Sequence, residues 1–112
     1  MSLDFYLKMH LDTGGKEPAE IVLFDDNYTH NVSKMWKAAG VYEALYESHE
    51  KLAAAITPAL VFGQIYFNTH KDELEAMNPA NGWGTYEGAR GFLSRVLQAC
   101  LDHPKATIYI SR

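Results

Sequence analysis

The sequence predicts an α+β domain, a small three-stranded and mostly antiparallel sheet packed on one face by about three helices. Residues 4 to 11 alternate apolar with polar, the period of a strand with one buried face. Two longer stretches, 49–67 and 85–102, repeat their apolar residues at helical spacing instead. A short β-branched run, Ala106 to Ile110, follows the last of them. Strands therefore lie at either end of the sequence with helices between, an order that segregates the helices to one side of the sheet.

In the first strand Phe5, Leu7, Met9 and Leu11 share a face, opposite Asp4, Tyr6, Lys8 and His10. Asp12-Thr13-Gly14-Gly15-Lys16 is a turn, and its two glycines tolerate positive φ. Glu20 to Phe24, β-branched at Ile21 and Val22, reads as a second strand pairing back on the first. Pro18 sits in the connection or at the strand entry, where a missing donor does little harm. Asp25-Asp26-Asn27-Tyr28-Thr29 is rich in capping residues and predicts a helix from about His30 to Ala39. Val32, Met35, Trp36 and Ala39 form its apolar face, and Gly40 ends it in the left-handed region.

Val41 to Tyr46 is a short helical turn or an extended connector. Ser48 is placed to cap a helix from about His49 to Phe67, which Pro58 either kinks or divides. Its buried face takes Leu52, Ala55, Ile56, Ala59, Leu60, Gly63 and Phe67. His70 to Met77 reads as a single helical turn. Asn-Pro and Asn-Gly turn signals then surround Trp83. Thr85 caps a final helix to about Asp102, with Ala89, Phe92, Leu93, Val96, Leu97 and Cys100 as its apolar stripe, and Pro104 stops it.

The 112 residues form one domain, 1–112, long enough for a single core without staples. Ten Lys plus Arg against fourteen Asp plus Glu leave a net charge of −4, which argues against a nucleic-acid partner, since phosphate binding needs a basic face. No apolar run approaches the roughly 18 residues of a membrane span, so no membrane partner is expected. Without a basic start and apolar run of the secretory kind, the chain reads as cytoplasmic. Cys100, the single cysteine, cannot form an internal disulfide and reads as a small buried hydrophobe.

Polar residues cluster in three places. Asp25, Asp26, Asn27, Thr29, His30 and Asn31 gather at the mouth of the first helix. They could simply cap it, bind a polar ligand, or hold a divalent cation through Asp25, Asp26 and His30; that spacing matches no established motif, so no metal is assigned. Trp83, bracketed by glycines, either stacks on a ligand or folds back as a core anchor, and Tyr86 and Glu87 open the last helix beside it. Arg112 brings a guanidinium that either pairs with Glu87 or an aspartate of the first cluster, or frays. The five histidines lack ligand spacing, and there is no phosphate-cradling loop, nucleophile elbow or cysteine pair. No catalytic residue and no cofactor is assigned.

The residues also resemble a known family. Asp4-Phe5-Tyr6-Leu7, then Asn27-Tyr28-Thr29-His30-Asn31 with Met35 and Ala39-Gly40-Val41-Tyr42, then Asn78-Pro79-Ala80-Asn81-Gly82-Trp83-Gly84-Thr85-Tyr86-Glu87, and finally Ala99-Cys100, Pro104 and Ser111-Arg112 carry the likeness. Together they look like a family of small uncharacterised proteins of bacteriophage and actinobacterial genomes, over nearly the whole chain. The resemblance implies a small phage-encoded accessory protein and brings no catalytic role. It also places Asn27, His30, Asn31, Trp83, Tyr86 and Glu87 in one pattern.

The resulting expectation is a non-enzymatic binding module for a small polar ligand or a host protein. Asn27, His30, Asn31, Trp83, Tyr86, Glu87 and Arg112 would converge where the first helix start meets the Asn-Gly-Trp-Gly loop. His30 and Asn31 would hydrogen-bond, Trp83 and Tyr86 would stack, and Glu87 or Arg112 would fix polarity. Two alternatives stand beside it: a small hydrolase-like enzyme pairing His30 with Glu87 or Asp26, and a structural protein acting through a homo-oligomeric interface.

Overall fold

The structure, a computed structural model, describes residues 2–12, 14–15 and 19–112. Thr13 and Lys16 of the expected turn, and Pro18, expected in the connection or at the strand entry, lie outside the described residues. The chain runs β1 (Ser2–Leu11), β2 (Ala19–Thr29), a one-turn 3-10 helix (His30–Val32), α1 (Ser33–Ala38), α2 (Tyr42–Tyr46), α3 (Ala53–Thr69), α4 (Lys71–Glu75), α5 (Tyr86–Asp102) and β3 (Thr107–Ser111). The sheet order is β2-β1-β3 with both pairings antiparallel. Among the described residues five α-helices accompany it, in keeping with the expected α+β arrangement; three are single short turns or little more, and two, α3 and α5, are seventeen residues long.

The central strand is the one with the cleanest alternation. Leu3, Phe5 and Leu7 are buried, whereas Met9 is half-buried and Leu11 exposed. The apolar face thus outlasts the helical layer. β3 pairs only as far as Lys8, and the register of β1 against β2 shifts between Leu7 and Lys8. Leu7 faces Phe24 while Lys8 faces Val22, so Leu23 is the extra residue of a bulge. Beyond it the two strands continue as a ribbon carrying exposed Leu11, Ile21 and Val22.

β2 is longer than the sequence suggests. Asp25, Asp26 and Asn27 are strand residues opposite Tyr6, Phe5 and Asp4, not helix caps. Alternation turns Asp26 to the helix side, where Arg95 of α5 meets its carboxylate at 2.5 Å. The cap is supplied by Thr29, whose hydroxyl accepts from the Asn31 amide. The helix expected from His30 begins as a 3-10 turn, and Gly40 follows it at φ +74°.

The third helix starts later than expected. The Ser48 hydroxyl donates back to the Ala44 carbonyl instead of capping forward. Residues 50–52 are drawn out along β3: Glu50 donates to the Ile108 carbonyl, Lys51 accepts from Ile108, and Leu52 bridges Thr107. Leu52 and Ala55 are therefore exposed, and the buried face of α3 is Ala53, Ile56, Leu60, Gly63 and Phe67. α3 runs through Pro58 as one helix. α5 matches its expected span and stripe, adding Tyr86 and Ala99 to the buried side.

Trp36 sits fully buried at the centre, its ring 5.7 Å from Phe67 of α3 and 6.0 Å from Phe92 of α5. Truncating such a side chain costs about 3–5 kcal/mol, and the trio links α1 to both long helices. Among the described residues no helix is long and apolar enough to cross a membrane.

Candidate functional site

The two asparagine-rich segments pack against each other. Strand register brings this about: Thr29 at the end of β2 lies opposite Ser2, and Ser111 of β3 lies opposite Asp4. Thr29, Ser2 and Arg112 thus share one end of the sheet, and the loop ahead of α5 closes over it.

That loop is fixed by its own side chains. The Asn81 side-chain oxygen accepts from the Trp83 amide at 2.9 Å, and that of Asn78 accepts from Tyr86 at 2.8 Å. The Thr85 hydroxyl accepts from the Gly88 amide at 3.0 Å, the cap expected from the sequence. From the other segment, the Tyr28 hydroxyl accepts from the Thr85 amide at 3.0 Å, and the Asn31 side-chain amide donates to the Trp83 carbonyl at 3.2 Å.

Two glycines are needed for the approach. Gly84 has φ +102°, and a Cβ there would lie 2.6 Å from a methyl of Thr29. A Cβ on Gly88 would collide with the Tyr28 hydroxyl.

The Trp83 indole takes no part in this fixing. It is 73% exposed and, with Ser2, Thr29 and Asn31, lines an open cavity of about 470 Å³. The core-anchor reading of Trp83 is thereby overturned, because the glycine-bracketed turn holds the backbone while the ring points outward. Tyr86 is the anchor instead. It is 3% exposed, stacks on Phe67 at 5.7 Å, and donates its hydroxyl to the Phe67 carbonyl at 2.5 Å, so it offers no stacking face.

The remaining expected residues divide. His30 and Arg112 meet in a second cavity of about 320 Å³, with Ser33, Tyr42 and Tyr46. Glu87 lies apart, in a cavity of about 310 Å³ with Asn68, Lys71, Tyr86 and Arg90. It does not join His30 or Arg112 there. Asn27 is exposed on β2, opposite Asp4. The seven residues therefore converge only in part: Asn31 with Trp83, and His30 with Arg112, on either side of one 3-10 turn.

In the second cavity His30 Nδ1 lies 2.7 Å from the Tyr46 hydroxyl. Burial, reinforced by neighbouring Tyr42, pushes the Tyr46 phenol up to about 12, against the opposing pull of Arg112. Tyr46 therefore remains a protonated hydroxyl near neutral pH. The Trp36 indole also acts in the downward direction, although its Nε1 reaches no partner in hydrogen-bond geometry. The Tyr42 and Tyr46 rings stack at 4.5 Å, and each carries a cation: Lys37 5.0 Å from the Tyr42 centroid and Arg112 5.7 Å from that of Tyr46.

Tyr42, Tyr46, Ser33 and Lys37 were missed as site residues. The i, i+4 spacing of Tyr42 and Tyr46, in a segment read as a short helical turn or an extended connector, is the signal that points to the pair.

His30 meets neither Glu87 nor Asp26. Asp26 is engaged by Arg95, and among the described residues no three of His, Cys, Asp and Glu come together. Searches against known protein families, curated proteins and solved structures returned no match.

Proposed function

We propose that this protein is a non-enzymatic binding module, a cytoplasmic accessory protein of the phage-encoded kind that the sequence resemblance implies. Its ligand surface is the end of the sheet where the first helix start meets the Asn-Gly-Trp-Gly loop. The observation that carries the reading is Trp83, an indole 73% exposed on a loop whose backbone is held by Asn31, Asn81 and Tyr28. A large apolar ring displayed on a fixed frame suits stacking against a planar group, at little ordering cost on binding. Asn31 and Ser2 add hydrogen-bonding capacity to the same cavity.

Fluorescence offers a direct test, because Trp36 is buried and Trp83 is the other tryptophan. Nucleosides, aromatic carboxylates and sugars, screened at millimolar concentration, are expected to change the emission of the parent and not of a folded Trp83→Ala variant. A variant that binds every hit as tightly as the parent overturns the stacking role.

One observation favours a second reading, a homo-oligomer. α3 carries no charged residue along its length and exposes Val61, Phe62 and Ile65, with Phe62 72% exposed. A second copy laid antiparallel about the helix midpoint would match this stripe to itself. Solution mass of the parent against Phe62→Lys checks it: a dimer that the substitution dissociates supports the reading, and a monomeric parent removes it.

A further inference from the structure

The Trp83 cavity differs in character from its neighbour across the 3-10 turn. There, Lys37 lies over the Tyr42 ring and Arg112 over the Tyr46 ring, so the stacked pair is already covered. The Trp83 indole is exposed, and among the described residues no ring and no cation is paired with it. An open aromatic face is thus displayed on a loop that is held by its backbone.

The chemistry around that face is uncharged. Ser2, Thr29 and Asn31 complete the lining with two hydroxyls and a carboxamide, and no charged side chain joins them among the described residues. His30 and Arg112 line the other cavity, and Asp26 is engaged by Arg95. A carboxylate, phosphate or ammonium seated against the indole would lose hydration and gain no counter-charge. The site therefore favours a neutral ligand.

Hydrogen-bonding capacity narrows the class further. Hydroxyl and carboxamide groups both donate and accept. The Thr29 hydroxyl accepts from the Asn31 amide and keeps its own hydrogen to donate. Asn31 commits one side-chain hydrogen to the Trp83 carbonyl and keeps its oxygen and second hydrogen. Ligand hydroxyls, which also donate and accept, match such partners in either sense. Nucleobase edges instead carry donors and acceptors of fixed sense, read by paired groups such as a free bidentate carboxamide.

We infer that the Trp83 cavity is a site for a neutral saccharide, with the C–H face of a pyranose on the indole and its hydroxyls on Ser2, Thr29 and Asn31. The inference rests on the Trp83 surface being a ligand surface, and it names the class of ligand. The C–H bonds of a sugar face carry partial positive charge and meet the negative face of the aromatic ring. At about 470 Å³ the cavity lies within the range of small-molecule sites and is roomy enough for a hexopyranose.

The test titrates the methyl glycosides of glucose, galactose, mannose and N-acetylglucosamine into the full chain, with methyl glucuronide, benzoate and cytosine as charged and planar controls. NMR signals of the Trp83 indole N–H, the Asn31 carboxamide and the amides of residues 81–85 are followed. At least one neutral glycoside is expected to give saturable shifts at these groups in the millimolar range, and methyl glucuronide to bind no more tightly than methyl glucoside. Trp83→Ala, its folding checked by the signal of buried Trp36, should abolish the response. Ser2→Ala should weaken it by roughly threefold, as loss of one solvent-shared hydrogen bond does.

A glycoside that binds the Trp83 and Ser2 variants as tightly as the parent overturns the inference. So does a glucuronide that binds more tightly than its neutral counterpart, because a cation would then share the site. Cytosine or benzoate shifting the Trp83 indole while no glycoside does overturns the saccharide assignment and leaves the stacking surface standing. No response to any probe removes both.

Discussion

Asn31 and Trp83 lie 52 positions apart, and the side-chain amide of the first donates to the main-chain carbonyl of the second at 3.2 Å. The bond grips the backbone and leaves the indole free. The two residues should therefore respond differently to truncation. Trp83→Ala is expected to change unfolding free energy by less than about 0.5 kcal/mol, as an exposed substitution does. Asn31→Ala should cost up to about 1 kcal/mol and speed amide exchange over residues 81–85. Urea unfolding and hydrogen exchange measure both. Equal exchange in the two variants would show that the Asn31 bond does not hold the loop.

Gly84 and Gly82 both have positive φ, but only Gly84 meets a neighbour. Gly82→Ala should cost about 1 kcal/mol from backbone strain alone. Gly84→Ala adds the contact with Thr29 and should cost clearly more, about 2–3 kcal/mol. Chemical denaturation of the pair orders them. A Gly84 variant no worse than the Gly82 variant would mean that the loop rides less closely on Thr29 than described.

Tyr86→Phe removes the hydroxyl that donates to the Phe67 carbonyl inside the protein. A loss of about 1–2 kcal/mol is expected, because a buried acceptor is left without its partner. Affinity for any ligand of the Trp83 surface should not change. A binding defect at full stability would return Tyr86 to the ligand surface.

Cys100 is fully buried, and burial pushes its thiol up to about 12 from an ordinary 9.0. The folded chain then keeps a proton that the unfolded chain releases above about pH 9. The sign follows directly: this contribution is complete below pH 9 and is lost as pH climbs toward 12, at up to about 1.4 kcal/mol per pH unit. Tyr46, raised from 10.0 to about 12, adds loss in the same direction starting one unit higher. Unfolding curves at pH 8, 9 and 10 should show alkaline destabilisation, with an earlier onset in the parent than in Cys100→Ala. Thiol reagents at pH 8 should label Cys100 only as fast as the protein opens.

Much of this fold was legible from local pattern. The strand over residues 4–11, the stripe of α5 and its Thr85 cap depend on neighbours in sequence, and they hold in the structure, although the strand's buried face does not reach Leu11. Local chemistry misled where a long-range contact outbid it. Asp25-Asp26-Asn27 has the composition of a cap, yet pairing with β1 and the Arg95 contact make it strand. Ser48 looks like an N-cap, but the pairing of residues 50–52 with β3 delays the helix.

The candidate site was legible as a list of residue types and not as an arrangement. Whether His30 faces Glu87 or Tyr46 depends on strand register and on how the 3-10 turn winds, and neither is encoded in spacing. The meeting of the two asparagine-rich segments was foreseeable; the division of their side chains between two cavities was not.

All the hydrogen bonds that hold the loop end on main-chain atoms or on residues other than the indole of Trp83. Position 83 is consequently a plug-in position. A different ring, a charge or an aliphatic chain could be installed there without redrawing the turn. A single codon change there would alter what the loop displays and leave what holds it untouched.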